Sequence, residues 1–339
     1  MLRRVAIALI SCLLTVGLAI VVGAQPSVQP NPQPNTPPTV QPNPQPSALP
    51  TAQPEVSPSD IQFKRTNRAE TVLEKVARSG VLTAGTRTDA SPFAYIDAQG
   101  NWVGFAIELL RLIQAGMQDR LQRPIQLQLV ETNVADWASK LERDEIDLVC
   151  GSTSITTSRN LRADFSVGYF RTGTQFLVKK DHLLTPPELQ IGVVRGASNE
   201  HPIETQLRLA KLTRFADRAE GLTALVAGRI DALASDGILL EGLRQTLPNA
   251  EMFEIIPTQP FSLEIYGCAL PQNDTTFKAL VNRELITFMW NVLNNDSLAV
   301  ATFDTWFGSE GIAPVDRAQI LGFFAETIAS YEQNSGNSN

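Results

Sequence analysis

Residues 151–165, GSTSITTSRNLRADF, set Ser152, Thr153, Ser154, Thr156, Thr157 and Ser158 just ahead of Arg159. Hydroxyls, free backbone N–H groups and one guanidinium together suit a carboxylate, which takes a bidentate guanidinium fork and further N–H donors. An apolar run, residues 146–150, precedes them and reads as a buried strand. Thr156, Thr157 and Ser158 are good caps for a short helix with Arg159 in its first turn. The same pattern also fits an ordinary strand–loop–helix connection with Arg159 in solvent.

Other chemistries are poorly served. There are two histidines, His182 and His201, and neither has a Cys, His or acid at metal-ligand spacing, so no metal or other cofactor is expected. Serines abound, but no serine has an evident base, and no nucleophilic constellation is visible. The 339 residues carry a formal charge of −7, with 43% hydrophobic and 19% charged residues. That is an ordinary globular composition without the basic stripe of a nucleic-acid binder.

The elements that must position these groups alternate. Residues 70–78 read as a short helix stopped at Ser79-Gly80. Strands are expected at 81–85 and 125–130, helices at 108–121 and 136–143, and a turn at 98–101 between the flanks 93–97 and 102–105. This βαβαβ order predicts an α/β lobe with a largely parallel sheet. A second unit repeats the grammar: strands at 173–179, 190–194, 212–215 and 230–234, a helix start at 186–189 and a helix at 219–227. Polar loops, Gly196-Ala197-Ser198-Asn199 and Ser235-Asp236-Gly237, fall near strand ends, where open α/β sheets bind ligands. One more strand is expected at 266–270 and an amphipathic helix at 278–293, while 303–308 ends the core. A terminal helix at 316–331 should pack Ile320, Phe323, Phe324 and Ile328, leaving the last eight residues without structure.

The N-terminus reads as an export signal. Arg3 and Arg4 precede the apolar run 5–22, and small residues set cleavage after Ala24. An uncleaved membrane anchor is the alternative, since the apolar run is just long enough to span a bilayer. Twelve prolines fall in residues 25–60, and QPNPQP occurs twice, so this segment is expected to be an extended linker without a core.

The pieces SGVLTAGTRTDASPFAYIDAQGNWVGF, EIDLVCGSTSITTSRNLRADFS, LVAGRIDALASDG, EIYGCALP and FDTWFG occur in one order across roughly residues 70–308. In this they resemble the periplasmic solute-binding proteins (family 3) of ABC amino-acid importers, and within that family the glutamate/aspartate binders. The resemblance implies an α/β, two-lobed periplasmic-binding-protein type II fold, a Venus-flytrap with two hinge strands and a ligand in the cleft. Lobe 1 would comprise 61–172 plus 268–310, lobe 2 would be 173–267, and 311–339 a C-terminal helix and tail. It implies a periplasmic monomer that hands a polar amino acid to an ABC permease, with no catalysis of its own.

Residue by residue, the resemblance assigns Arg159 to the ligand α-carboxylate. Ser152 and Ser154 would contact the amino-acid head, and Asp236 its ammonium. Ala197 and Ser198 match a lobe-two loop that meets a carboxylate. Arg87 matches an Arg facing the ligand side chain, and Arg218 stands where the subgroup has His. Trp137 replaces a further subgroup Arg, which puts strict acidic specificity in doubt. If Arg87 and Arg218 pair instead with acids such as Asp89 and Glu220, a neutral ligand such as glutamine is expected. Proteins similar to this family also include cyclohexadienyl dehydratases, and an amino-acid sensing domain is a third possibility. Cys12 leaves with the signal. The family topology makes Cys150 and Cys268 neighbours, so a disulfide and two buried thiols are both open.

Overall fold

The computed structural model describes residues 70–180 and 189–336. The signal, the proline-rich segment and most of the helix start expected at 186–189 lie outside the described residues. Helix α1 (Val72–Ser79) starts at a capping box between Thr71 and Glu74 and stops at Gly80, whose φ of 73° is the left-handed conformation that glycine adopts freely. Next come β1 (Val81–Thr86), β2 (Asp89–Ala90), β3 (Ala94–Ile96), β4 (Trp102–Val103) and α2 (Phe105–Leu121). Helix α2 begins three residues before the position that apolar spacing suggests. Gly104 makes the sharp entry at φ 134°, and a Cβ there would lie 2.1 Å from the Phe93 carbonyl oxygen. Then follow β5 (Gln126–Glu131), α3 (Trp137–Glu142), β6 (Leu148–Val149), α4 (Thr157–Asn160) and β7 (Asp164–Phe165).

The crossing strand β8 (Phe170–Lys179) leads to β9 (Gln190–Val194), α5 (Glu200–Gln206), β10 (Lys211–Phe215), α6 (Arg218–Val226), β11 (Ala232–Asp236) and α7 (Gly237–Arg244). After β12 (Phe253–Ile256) the chain returns through β13 (Leu263–Tyr266) and β14 (Ala269–Leu270) to α8 (Thr275–Leu293), α9 (Ser297–Phe307) and α10 (Arg317–Gly336). Ile320, Phe323, Phe324 and Ile328 are all buried, as the pattern of α10 requires. The helix runs on through Gly336, so residues 332–336 are helical where no structure was expected. No proline and no charge run interrupts that stretch.

The described strands form two large sheets and a small antiparallel one, β2-β3-β4. One has the order β5-β1-β6-β14-β7; its β1 pairs are parallel, while β14 runs antiparallel to β6 and β7. The other has the order β10-β9-β11-β8-β12. The protein is therefore α/β with two lobes. Strand β8 joins them: residues 174–179 sit in the second sheet, while Phe170 to Gly173 pair antiparallel with β13. The two crossing strands approach closely. A Cβ on Gly173 would meet the Ser262 carbonyl oxygen at 2.1 Å, so glycine is required there. The run 266–270 is broken into two strands at Gly267-Cys268, because Gly267 N–H turns to the Thr153 carbonyl. Cys150 and Cys268 are joined by a disulfide, which settles the open pairing.

Candidate functional site

The expected ligand residues converge. Arg87, Ser152, Arg159, Ser198, Arg218 and Asp236 all line one cleft between the lobes, together with Trp137 and the loop Thr132-Asn133-Val134. Ser154 lies just beneath, 1% exposed, and its hydroxyl accepts from Ser198 across the cleft at 3.2 Å.

At one end the site is built on the loop after β6. The disulfide ties Cys150 to the second crossing, and the Tyr169 hydroxyl bonds both the N–H and the carbonyl of Gly151. Ile155 N–H donates to the Ile265 carbonyl at 2.8 Å, and Ser154 bridges Tyr266. The loop is thus held on both sides before it reaches α4, whose cap is Thr156 accepting from Arg159 N–H. Two groups here keep bonding capacity that no described residue uses. The Ser152 hydroxyl is buried with no hydrogen-bond partner among the described residues. Arg159 donates one Nη1 bond to the Ser154 carbonyl at 2.9 Å, and no described carboxylate pairs with it. Burial pulls its guanidinium pKa down, with Glu264 and Asp236 pulling back. A half-buried cation without a paired anion is in an unfavourable setting that an arriving anion relieves.

Asp236 closes β11 and is 3% exposed. It accepts from Asn199 Nδ2 at 2.8 Å and from the Tyr266 hydroxyl. Burial and the adjacent Asp236 carboxylate push the Tyr266 phenol well above its ordinary pKa. Asp236 is therefore oriented by neutral donors, so its charge remains available to a cation.

At the other end, Arg87 and Arg218 reach one carboxylate. Arg87 holds Asp89 by two bonds of 2.6 Å, from Nε and Nη2. Arg218 opens α6 behind its Asp217 cap and belongs to the other lobe; its Nη1 lies 3.4 Å from the same Asp89, and its Nε donates to Ser235 at 3.1 Å. Burial pushes the Asp89 carboxyl up, but the Arg218 charge and the Arg87 bonds outweigh it and bring it down to about 2. Glu220 is not the partner of Arg218; it accepts from Ala216 N–H instead. Trp137 lines the cleft and packs edge-on to Phe165, so this position gives the cleft an apolar wall and no further cation.

Asn199, Tyr266 and Glu264 carry roles that residue patterns did not assign. Glu264 is 6% exposed on β13. Burial and the neighbouring Asp236 charge raise its carboxyl pKa, against the hydroxyls of Ser154 and Ser198 and the charge of Arg159. Glu264 and Tyr266 fall in the EIYGCALP stretch, read as a strand rather than as a source of polar groups, and Asn199 in the polar loop 196–199. Among the described residues no cluster of His, Cys, Asp or Glu could hold a metal ion.

This geometry of two lobes, crossing strands and a charged cleft coincides with a family match. The model for bacterial extracellular solute-binding proteins, family 3, matches residues 82–308. The chain belongs to this family. The family 3 protein is 29% identical to a glutamate/aspartate import solute-binding protein of Salmonella typhimurium over 248 residues, covering 70% of this chain and 80% of the relative. It is 25% identical to a cyclohexadienyl dehydratase of Pseudomonas aeruginosa over 224 residues, 64% of this chain and 80% of the enzyme. Among solved structures it is similar to an ancestral arginine-binding protein bound to glutamine, at 25% identity and a TM-score of 0.60, covering 68% of this chain and 99% of that one. These likenesses agree with the two-lobed periplasmic-binding-protein type II fold.

Proposed function

We propose that this family 3 protein captures an acidic amino acid, glutamate or aspartate, and delivers it to an ABC importer. Asp89 does pair with Arg87 and Arg218, the arrangement for which a neutral ligand is expected, but one carboxylate serves two guanidiniums, and that surplus cation is the observation that carries the acidic reading. An amino-acid head uses Arg159 for its α-carboxylate and Asp236 for its ammonium. Two guanidiniums and one carboxylate then remain, with one positive charge left over. A side-chain carboxylate balances that charge; a neutral side chain leaves it buried and unbalanced. None of the described hydrogen bonds uses Arg87 Nη1 or Arg218 Nη2, one from each lobe, so a distal carboxylate has two donors. Ligand bridging both lobes favours closure through its higher affinity for the closed state.

Calorimetry of the purified protein with glutamate, aspartate and glutamine tests this. Glutamate or aspartate is expected to bind tightest, with compaction in small-angle scattering; preference for glutamine rejects the acidic assignment. The export signal, the lobe limits at 172/173 and 267/268, the monomeric state and the permease partner belong to the same proposal. Sequencing the mature N-terminus checks cleavage after Ala24.

A second reading, a dehydratase, is favoured by one group. Glu264 is a buried carboxyl held toward its protonated form, as a general acid would be. It does not line the cleft but lies under the hydroxyls of Ser154 and Ser198, which favours binding over catalysis. Incubation with prephenate or arogenate is expected to yield no product.

A further inference from the structure

We infer that Asp89 sets the charge of the ligand side chain that this cleft accepts, by cancelling one of the two guanidinium charges facing it and by tying the lobes together when no ligand is bound. The inference rests on the amino-acid reading above and deepens it. Arg87 follows β1 in one lobe and Arg218 opens α6 in the other. Asp89 reaches both, so the Arg218–Asp89 pair is a bond between lobes made by protein groups alone. Asp89 itself is not part of the cleft lining, whereas both its partners are. It therefore changes the charge seen by a ligand without occupying the ligand's space. Its carboxyl stays ionised at every pH at which the protein is expected to work, because two guanidiniums hold it.

This arrangement matches one negative charge. With Asp89 in place, a monoanionic side chain neutralises the remaining cation, and a dianionic one leaves an excess buried anion. Replacing Asp89 by Asn keeps the size and a carbonyl acceptor for Arg87 while restoring the second positive charge. The effect on affinity should then be graded by ligand charge. A residue that only holds the two arginines in place would move all ligands the same way.

The test is calorimetry of wild type and Asp89→Asn with glutamine, glutamate and O-phosphoserine, whose phosphate is close to dianionic above about pH 6. In the variant, O-phosphoserine should gain the most relative to glutamine, on the order of a hundredfold, and glutamate about tenfold. Scattering of the ligand-free proteins should show a larger radius for the variant, because the ligand-independent tie is broken. Equal changes for all three ligands, or weaker relative binding of the anions, overturn the inference. If wild type binds none of the three, the amino-acid reading fails, and the ligand-free radius alone decides whether Asp89 ties the lobes: an unchanged radius overturns that too. Asp89→Ser, which cannot replace the bidentate contact, guards against a folding defect particular to Asn and should give the same ranking.

Discussion

The two ends of the cleft solve opposite problems. At the Ser152–Arg159 end groups are left unmatched among the described residues: a guanidinium without a paired carboxylate and a buried hydroxyl without a partner. At the Arg87–Arg218 end it supplies its own anion, Asp89, and leaves only part of the charge for a ligand. The unmatched end has an unfavourable arrangement that a ligand head relieves, so it should dominate affinity. The self-paired end is nearly content alone, so it should govern selectivity instead. The supports differ in kind as well. The first end is braced by a disulfide and by Tyr169 within one lobe, while the second depends on an ion pair between lobes.

The largest effect expected from this contrast is at the first end. Arg159→Ala should weaken glutamate, aspartate and glutamine alike, by about 3–5 kcal/mol, since the α-carboxylate is left buried without its cation. Titration calorimetry reads it, and a loss confined to glutamate would break the division of labour. Opening the brace by Cys268→Ser should lower stability by about 2–5 kcal/mol in chemical denaturation, because the bond closes a loop of 118 residues. The ratio of glutamate to glutamine affinity should survive, as the second end does not lean on that brace. Arg87→Ala should weaken glutamate by about 1.5–3 kcal/mol, the range of a charged hydrogen bond, and glutamine far less. Equal losses for both ligands would mean that Arg87 does not face the side chain.

Two pH effects are smaller. Asp89 has a folded pKa of about 2, below the ordinary carboxylate value. The native state therefore binds its proton less readily than the unfolded state, and the stabilisation is present above about pH 4. It is lost as pH falls toward about 2, by roughly 2 kcal/mol, and denaturation of wild type against Asp89→Asn over that range isolates it. Glu264 has the opposite sign. Its raised pKa means that the native state holds the proton more tightly, so stability falls as pH rises above the ordinary carboxylate range. The groups around it are Asp236, Arg159, Ser154 and Ser198. Glutamate affinity should fall over the same rise in pH, since ionised Glu264 adds a negative charge beside the cleft. Glu264→Gln should flatten both slopes.

How far all this was legible depended on the range of the physics involved. Local signals were read well: the stop at Gly80, the amphipathic run of α8, the buried residues of α10, and the Thr156 cap ahead of Arg159. Helices α7 and α9 were not expected as such, because their apolar residues are short runs whose period competes with that of a strand. The resemblance assigns Arg87, Arg159, Arg218 and Asp236 to one cleft, and all four line it.

What the chain determined by itself was therefore which groups exist and where each sits within its own element: a serine-rich loop leading into α4, a cation in the first turn of that helix, an acid at the end of β11. Whether those charges are free or spent was decided by tertiary structure alone. Arg87 and Asp89 are two residues apart, but Arg218 lies 129 positions from the carboxylate it shares. Nothing local in either segment specifies that meeting. It follows from two crossing strands packed backbone to backbone at Gly173, and Coulomb energy depends on distance in space rather than along the chain.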